Sequence, residues 1–231
     1  MRFAIDDAIF GKYPDAVIGI AVARDINNQG ENAEVMQMLR QQEAQVRHEL
    51  QLETLAQSPL IQNWRQAYRQ FGEKDDRASH EALMRRVLKG GSLRHINTLV
   101  DCYNCISLKY RTPVGGEDME KITGDIRLKF AEGTEPFVAL GSSEVTHPAQ
   151  GEVVYTDNRE VLCRKWNWRE SDRTKLTEAT RSAVLVIEML PPLTEQDMKA
   201  ALNGLAALVG KHCGAETQTF VVTKESKKIE F

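Results

Sequence analysis

The run Ala16-Val17-Ile18-Gly19-Ile20-Ala21-Val22-Ala23 constrains this chain most, because it has no polar side to give to water. It has the length of a strand and reads as one buried on both faces. A second apolar run, Ala183-Val184-Leu185-Val186-Ile187-Glu188-Met189-Leu190, is interrupted by a single acid. Glu188 shares a strand face with Val184 and Val186. On a buried face its carboxylate is desolvated unless something pairs with it. If the strand ends there, Glu188 merely reaches water, and the residues leave both outcomes open.

Around these runs the periodicity is mixed. Helical spacing covers about 31–56 (Val35, Leu39, Val46, Leu50), then Trp64, Ala67, Tyr68 and Phe71 before Gly72. Leu83, Met84, Val87 and Leu88 mark another helix, with Ser79 expected as its cap. Ile96, Leu99, Val100, Tyr103, Ile106 and Tyr110 predict a helix over 97–109. Thr194 with Asp197 is a capping-box pattern opening a helix that Gly210 should stop. Strict alternation marks 126–130 as a strand, and 137–140 and 219–222 read as strands too. The runs 151–155 and 161–166 flank Asp157-Asn158 as a hairpin. The expected class is α+β, one domain over 1–231. Its first part, 1–92, is largely helical, 93–190 forms the core, and 191–231 adds a C-terminal helix and strand.

The chain has 231 residues, 42% hydrophobic and 27% charged, as an ordinary globular domain has. No apolar run approaches the ~20 residues a membrane helix needs. Met1-Arg2-Phe3-Ala4-Ile5-Asp6-Asp7 carries acids too early for a signal peptide, so a cytoplasmic location without a membrane partner is expected. A net charge of -3 argues against binding nucleic acid through the whole surface. Cys102 and Cys105 form a C-x-x-C, but no second pair and no His pair at ligand spacing completes a zinc set. They fall inside a helical pattern, so buried, reduced thiols are expected, with no metal and no cofactor.

Leu162-Cys163-Arg164-Lys165-Trp166-Asn167-Trp168-Arg169-Glu170 holds two of the three tryptophans, interleaved with charge. Charges that followed the rings inward would be costly. A strand with Trp166 and Trp168 on one face and Lys165, Asn167 and Arg169 on the other resolves the conflict. Between Arg159 and Lys175, six basic residues (Arg159, Arg164, Lys165, Arg169, Arg173, Lys175) outnumber three acids. They form either a small phosphate-facing patch or a solvated strand face. Pro113 ends the preceding helix, and Gly115-Gly116 permit positive φ or a close backbone approach to a ligand. No Gly-Lys-Ser/Thr follows, so this is not a Walker loop. Asp101 and Asn104, near each other on the 97–109 helix, either line something or are solvated.

Leu99-Val100-Asp101-Cys102-Tyr103-Asn104, Thr112-Pro113, Asp118-Met119-Glu120-Lys121-Ile122 and Gly124-Asp125-Ile126-Arg127-Leu128 resemble the tRNA-binding and editing domain in the beta chain of bacterial phenylalanyl-tRNA synthetase. That domain has a Val-Val-Asp-x-x-Asn helix, a Gln-Pro-x-His turn, an Asp-x-x-x-Ile segment and a strand in the same order. The match is close to gapless over 99–128 and extends to Leu190, about two-fifths of the chain. Free-standing proteins built on this domain resemble the chain more closely, with a segment like Trp166 to Glu170. Residues 1–90 have no counterpart, and the catalytic-core motifs of a synthetase are absent. The resemblance implies a mixed sheet core and a pocket that hydrolyses mischarged tRNA without a covalent nucleophile. It carries the helix Asn over to Asn104, the turn Pro to Pro113 and the strand-end Glu to Glu188. Tyr103 stands where the family has Thr, and Gly115 where it has the turn His. Trp166-Asn167-Trp168-Arg169 replaces a glycine-rich wall, with Glu170 retained, so a tyrosine-sized pocket is not inherited.

Two functions follow from this resemblance. The first is a stand-alone hydrolase of mischarged aminoacyl-tRNA, with Glu188 and Asn104 catalytic. Its pocket would comprise Pro113, Gly115, Gly116, Trp166, Asn167, Trp168, Arg169 and Glu170, and Lys165, Arg173 and Lys175 would meet tRNA. The second is a module that binds tRNA or an amino acid without turnover, which loss of the turn His favours. A C-x-x-C redox or zinc protein trails both. The sequence leaves the oligomeric state open.

Overall fold

The computed structural model describes residues 1–231. The chain opens with β1 (Arg2–Ile5), α1 (Asp7–Lys12) and β2 (Val17–Arg24), followed by α2 (Ala33–Glu49), α3 (Pro59–Gln70), α4 (Ser79–Leu88) and α5 (Thr98–Tyr110). Then come β3 (Val114–Asp118), β4 (Ile126–Phe130), β5 (Phe137–Val138), β6 (Val145–Thr146), β7 (Val153–Thr156), β8 (Val161–Arg164) and β9 (Arg169–Glu170). The last elements are β10 (Ala183–Met189), α6 (Glu195–Cys213), β11 (Glu216–Val222) and β12 (Lys228–Glu230).

The two apolar runs, β2 and β10, pair antiparallel at the centre of a four-stranded sheet ordered β11-β2-β10-β3. Their two faces go to different cores, which is why neither has a polar side. Ile18, Ile20, Val22 and Val184 meet Phe3, Ile126, Leu128, Tyr155 and Leu162 of a second sheet. That sheet has six strands in the order β12-β1-β4-β7-β8-β9, and β1–β4 is its one parallel pair. Ala21, Ala23, Leu185 and Ile187 face the other way, onto Val100 and Ile106 of α5 and Met198, Leu202 and Leu205 of α6. Each fully buried Ile, Leu or Val contributes roughly 1.5–3 kcal/mol. The result is a mixed α+β domain in which the four-stranded sheet has α5 and α6 on one face and the second sheet on the other.

The N-terminal helices are tied into these layers. Leu39 and Val46 of α2 pack with Met84 and Val87 of α4 against Cys105 and Leu108 of α5. Trp64, Ala67 and Tyr68 of α3 enter the core between the sheets.

Several local expectations need correction. The helix expected over 31–56 is the shorter α2, because its periodic face ends where Leu50 turns extended. Ser79 is the first residue of α4, whose cap position is Ala78 with no side-chain bond. Gly210 does not stop α6, which runs to Cys213 and ends where Gly214 takes left-handed φ. β1 and β12 were not legible as strands, since each is only a few residues long and acquires its partner from the far end of the chain. Cys102 and Cys105 point into different cores, and all four cysteines are buried. No three His, Cys, Asp or Glu side chains gather as metal ligands would. No helix is long and apolar enough to cross a membrane.

Candidate functional site

Between the two sheets, at the end where β3 and β9 lie, is a cavity of about 430 Å³. β10 floors it with Val184, Val186 and Glu188, and β3 contributes Val114 to Glu117. Tyr103 and Asn104 of α5 and Ser79 and Leu83 of α4 form one wall; Trp166 to Glu170 form another.

The Trp166 wall is not the alternating strand that the sequence suggests. Residues 165–168 are the turn of the β8–β9 hairpin, in which Arg164 pairs with Arg169. Lys165 and Trp166 both have positive φ, 50° and 66°, a conformation that turn rules assign to Gly, Asn or Asp. Tertiary contacts hold it. Buried Glu152 takes two hydrogen bonds from Arg164 at 2.9 and 2.7 Å and one from the Lys165 amide at 3.0 Å. The Trp166 ring is fully buried against Tyr13, with ring centres 4.8 Å apart, and edge-on to Trp64 at 5.0 Å. Because 165–168 turn rather than extend, Trp166 goes to the core, Asn167 to the cavity floor and Trp168 to the rim.

Glu188 is 3% exposed, so the strand does not end at water. Its partners are neutral: Tyr155 donates to Oε1 at 2.6 Å and Asn167 Nδ2 to Oε2 at 2.7 Å. Tyr68 in turn donates to Asn167 Oδ1 at 3.0 Å, which fixes the amide's orientation. Burial pushes the Glu188 carboxyl up to about 8, against the pull of the Tyr155 and Asn167 donors. The carboxylate keeps acceptor capacity for a ligand. Asn104, 7% exposed, lines the cavity, and its side-chain amide makes no hydrogen bond to protein. Asp101 turns away from it and meets His95 Nδ1 at 2.5 Å.

Gly115 and Gly116 lie in strand β3 with ordinary φ, not in a loop, and the close approach they allow is made by protein. A Cβ on Gly115 would stand 3.0 Å from Glu170 Oε1, and one on Gly116 2.5 Å from Leu185 Cδ2. Burial pushes both Glu170 and Glu117 above the usual carboxylate range. The nearby Glu170 charge adds to the shift of Glu117, whose Oε2 is buried without a partner. Pro113 lies outside the cavity, but its carbonyl accepts the Glu188 amide at 3.1 Å and so fixes the strand end.

The basic strip is largely occupied. The Lys165 ammonium binds Glu73 at 2.6 Å and also Asp76, and sits 4.5 Å over the Trp168 ring. Arg173 bonds Asp157 at 2.6 Å and Glu160 at 2.8 Å, and Lys175 bonds Asp172 at 2.9 Å. Arg169 is exposed at the cavity rim, with its guanidinium 5.4 Å over Trp168. A separate groove runs along α4 past Arg77, Arg85, Arg86 and Lys89 and meets the cavity at Ser79 and Trp168. Arg86 and Lys89 are exposed, one helical turn apart, and hold no carboxylate. Sequence reading found neither this groove nor Tyr68, Tyr155 and Glu117. Tyr68 reads only as one residue of a helix face and Tyr155 only as the end of a hairpin strand.

The family model described as the B3/4 domain matches residues 63–214. The beta subunit of phenylalanine–tRNA ligase from Shewanella oneidensis is 33% identical over 76 residues, covering 33% of this chain and 10% of that protein. The Photorhabdus laumondii subunit is 25% identical over 132 residues, covering 57% of this chain and 16% of that one. The chain thus aligns with under a fifth of either relative. A crystal structure of an N-terminal fragment of the phenylalanyl-tRNA synthetase beta-subunit from Pyrococcus horikoshii superposes with a TM-score of 0.50 at 16% identity. It covers 93% of this chain and 49% of that one, a likeness of fold. With the model spanning well over half its length, the chain belongs to the B3/4 domain family.

Proposed function

We propose that the protein is a stand-alone editing hydrolase that deacylates mischarged aminoacyl-tRNA in the cytoplasm. The supporting observation is a cavity that joins a buried, cation-free carboxyl, Glu188, to an unpartnered amide, Asn104. Its relatives are subunits of a ligase that charges tRNA. In this reading the misplaced amino acid enters the cavity and its amine donates to Glu188. The Asn104 amide holds the ester carbonyl or the attacking water. An aminoacyl ester is already activated, so its hydrolysis needs orientation and oxyanion stabilisation more than a strong base. The 3′ end of the tRNA stacks on Trp168 at the rim, with phosphates along Arg169, Arg86 and Lys89. Lys165 and Arg173 are left to hold the turn and the β7–β8 hairpin.

A panel of mischarged tRNAs, incubated with the pure protein, tests this. Wild type should deacylate at least one, and Glu188→Gln and Asn104→Ala should each slow it by about 100-fold or more. Arg86→Ala with Lys89→Ala should weaken tRNA binding and reduce its salt slope by about 1 per cation removed. Binding without deacylation across the panel would select the alternative, a non-catalytic module. Gly115, at the position of the family's turn His, favours that alternative. Activity unchanged in both cavity variants would reject the site.

A further inference from the structure

We infer that the aminoacyl group this cavity accepts carries a second cation on its side chain, as lysine or ornithine does. This deepens the reading above and rests on it. Three carboxyl groups line the cavity, Glu117, Glu170 and Glu188, against one cation, Arg169, which is exposed at the rim. Such a lining favours positive charge throughout its length.

The acids stand at two places. Glu117 is paired directly across from Val184 in the β3–β10 register, so both project from one sheet face. Glu188 lies on that same face four residues beyond Val184 along β10, so the backbones of Glu117 and Glu188 stand about 14 Å apart at the rise of a strand and the spacing between strands. Between the two ends the floor is Val184 and Val186, and the six-stranded sheet opposes them with Ile126 and Leu162. Methylene groups fit such walls. Extended lysine spreads its two nitrogens over six bonds of about 1.5 Å, so roughly 7 Å, and ornithine over five, so roughly 6 Å. With a charge-assisted hydrogen bond of about 2.8 Å at each end, lysine bridges carboxyl oxygens about 13 Å apart, a reach comparable to the backbone separation of the two acids.

The far end is chemically incomplete without such a ligand. Glu117 is 7% exposed and its Oε2 has no partner, while Glu170 beside it adds like charge. Arg173, outside the lining, and the Thr174 hydroxyl offset part of the Glu117 shift, and no Lys or Arg inside the cavity faces the pair. An ammonium placed there would fill the unpaired acceptor and favour the ionised form of Glu117 that burial opposes. Asn104, 7% exposed and unpartnered, stands in the wall with Tyr103, free to meet the backbone part of the ligand. A purely apolar side chain would leave the acids unpaired, and a phenol would satisfy one acceptor without neutralising charge.

Isothermal titration of the full chain with free amino-acid amides tests the inference without needing turnover. Lysinamide and ornithinamide carry the distal ammonium, norleucinamide has the same chain without it, and tyrosinamide supplies a phenol. Wild type should bind lysinamide or ornithinamide at least about tenfold more tightly than norleucinamide or tyrosinamide. Glu117→Gln should remove most of that preference, and Glu188→Gln should weaken every amide that binds. Should Glu117→Gln not fold, Glu170→Gln and the wild-type affinity ratio carry the same test. Norleucinamide or tyrosinamide binding as tightly as lysinamide, with Glu188 still required, would overturn the inference and leave the amino-acid cavity standing. No amide binding at all, or binding indifferent to Glu188, would overturn both.

Discussion

At the scale of single residues, Glu188 carries the most consequence. Burial has lifted its carboxyl from the ordinary 4.5 to about 8, so the folded protein holds a proton that the unfolded chain has already released. The sign follows directly. Glu188 stabilises the fold fully below pH 4.5, and that contribution is lost as pH rises toward about 8. Glu117 and Glu170 shift the same way and add to the trend. Stability from denaturant unfolding should therefore fall between pH 5 and 8, with up to about 1.4 kcal/mol per pH unit for each proton involved. Glu188→Gln should flatten the curve. A wild-type curve that rises over this range would place Glu188 beside an unrecognised cation. That a lone acid in an apolar strand marks something was legible in the sequence. Its partners were not, because Tyr68, Tyr155 and Asn167 come from three distant segments that only folding brings together.

At the scale of elements, the turn of the β8–β9 hairpin decides the shape of the site. Local rules place glycine or asparagine where φ is positive, and Lys165 and Trp166 violate them. The conformation persists because Glu152 grips the backbone and Trp166 fills a slot between Tyr13 and Trp64. Such over-determined strain is common at functional sites. Trp166→Ala should cost about 3–5 kcal/mol in chemical denaturation, and it should also loosen Asn167 and weaken ligand binding. A loss below about 1 kcal/mol would mean that the ring anchors nothing. An alternating Trp-Asn-Trp pattern was readable as important, but its period suggested a strand. The fixing contacts lie in the first third of the chain, and nothing in the local pattern announces them. By contrast α5 was legible almost to the residue, since its apolar spacing is a local signal; Asn97, counted into the helix by that spacing, is its cap.

At the scale of the whole molecule, the helical first third is part of the site. β2 runs through the middle of the four-stranded sheet, α3 supplies Trp64 and Tyr68, and α4 supplies the rim and the cationic groove. The α+β class could be read from the mixture of helical and strand periodicity around the apolar run of β2. The facing of the two sheets could not, because it depends on pairings such as β1 with β12 and β4 across the whole chain. The cavity exists where those sheets part, between β3 and β9, with Glu188 at its floor. The proposed occupancy of the cavity by the aminoacyl end of a tRNA is most directly tested with a panel of non-hydrolysable 3′-aminoacylamino-adenosines in isothermal titration. At least one should bind wild type one-to-one, and binding should weaken about tenfold or more in both Glu188→Gln and Asn104→Ala. Equal affinity in wild type and both folded variants, or no binding by any member of the panel, would contradict it.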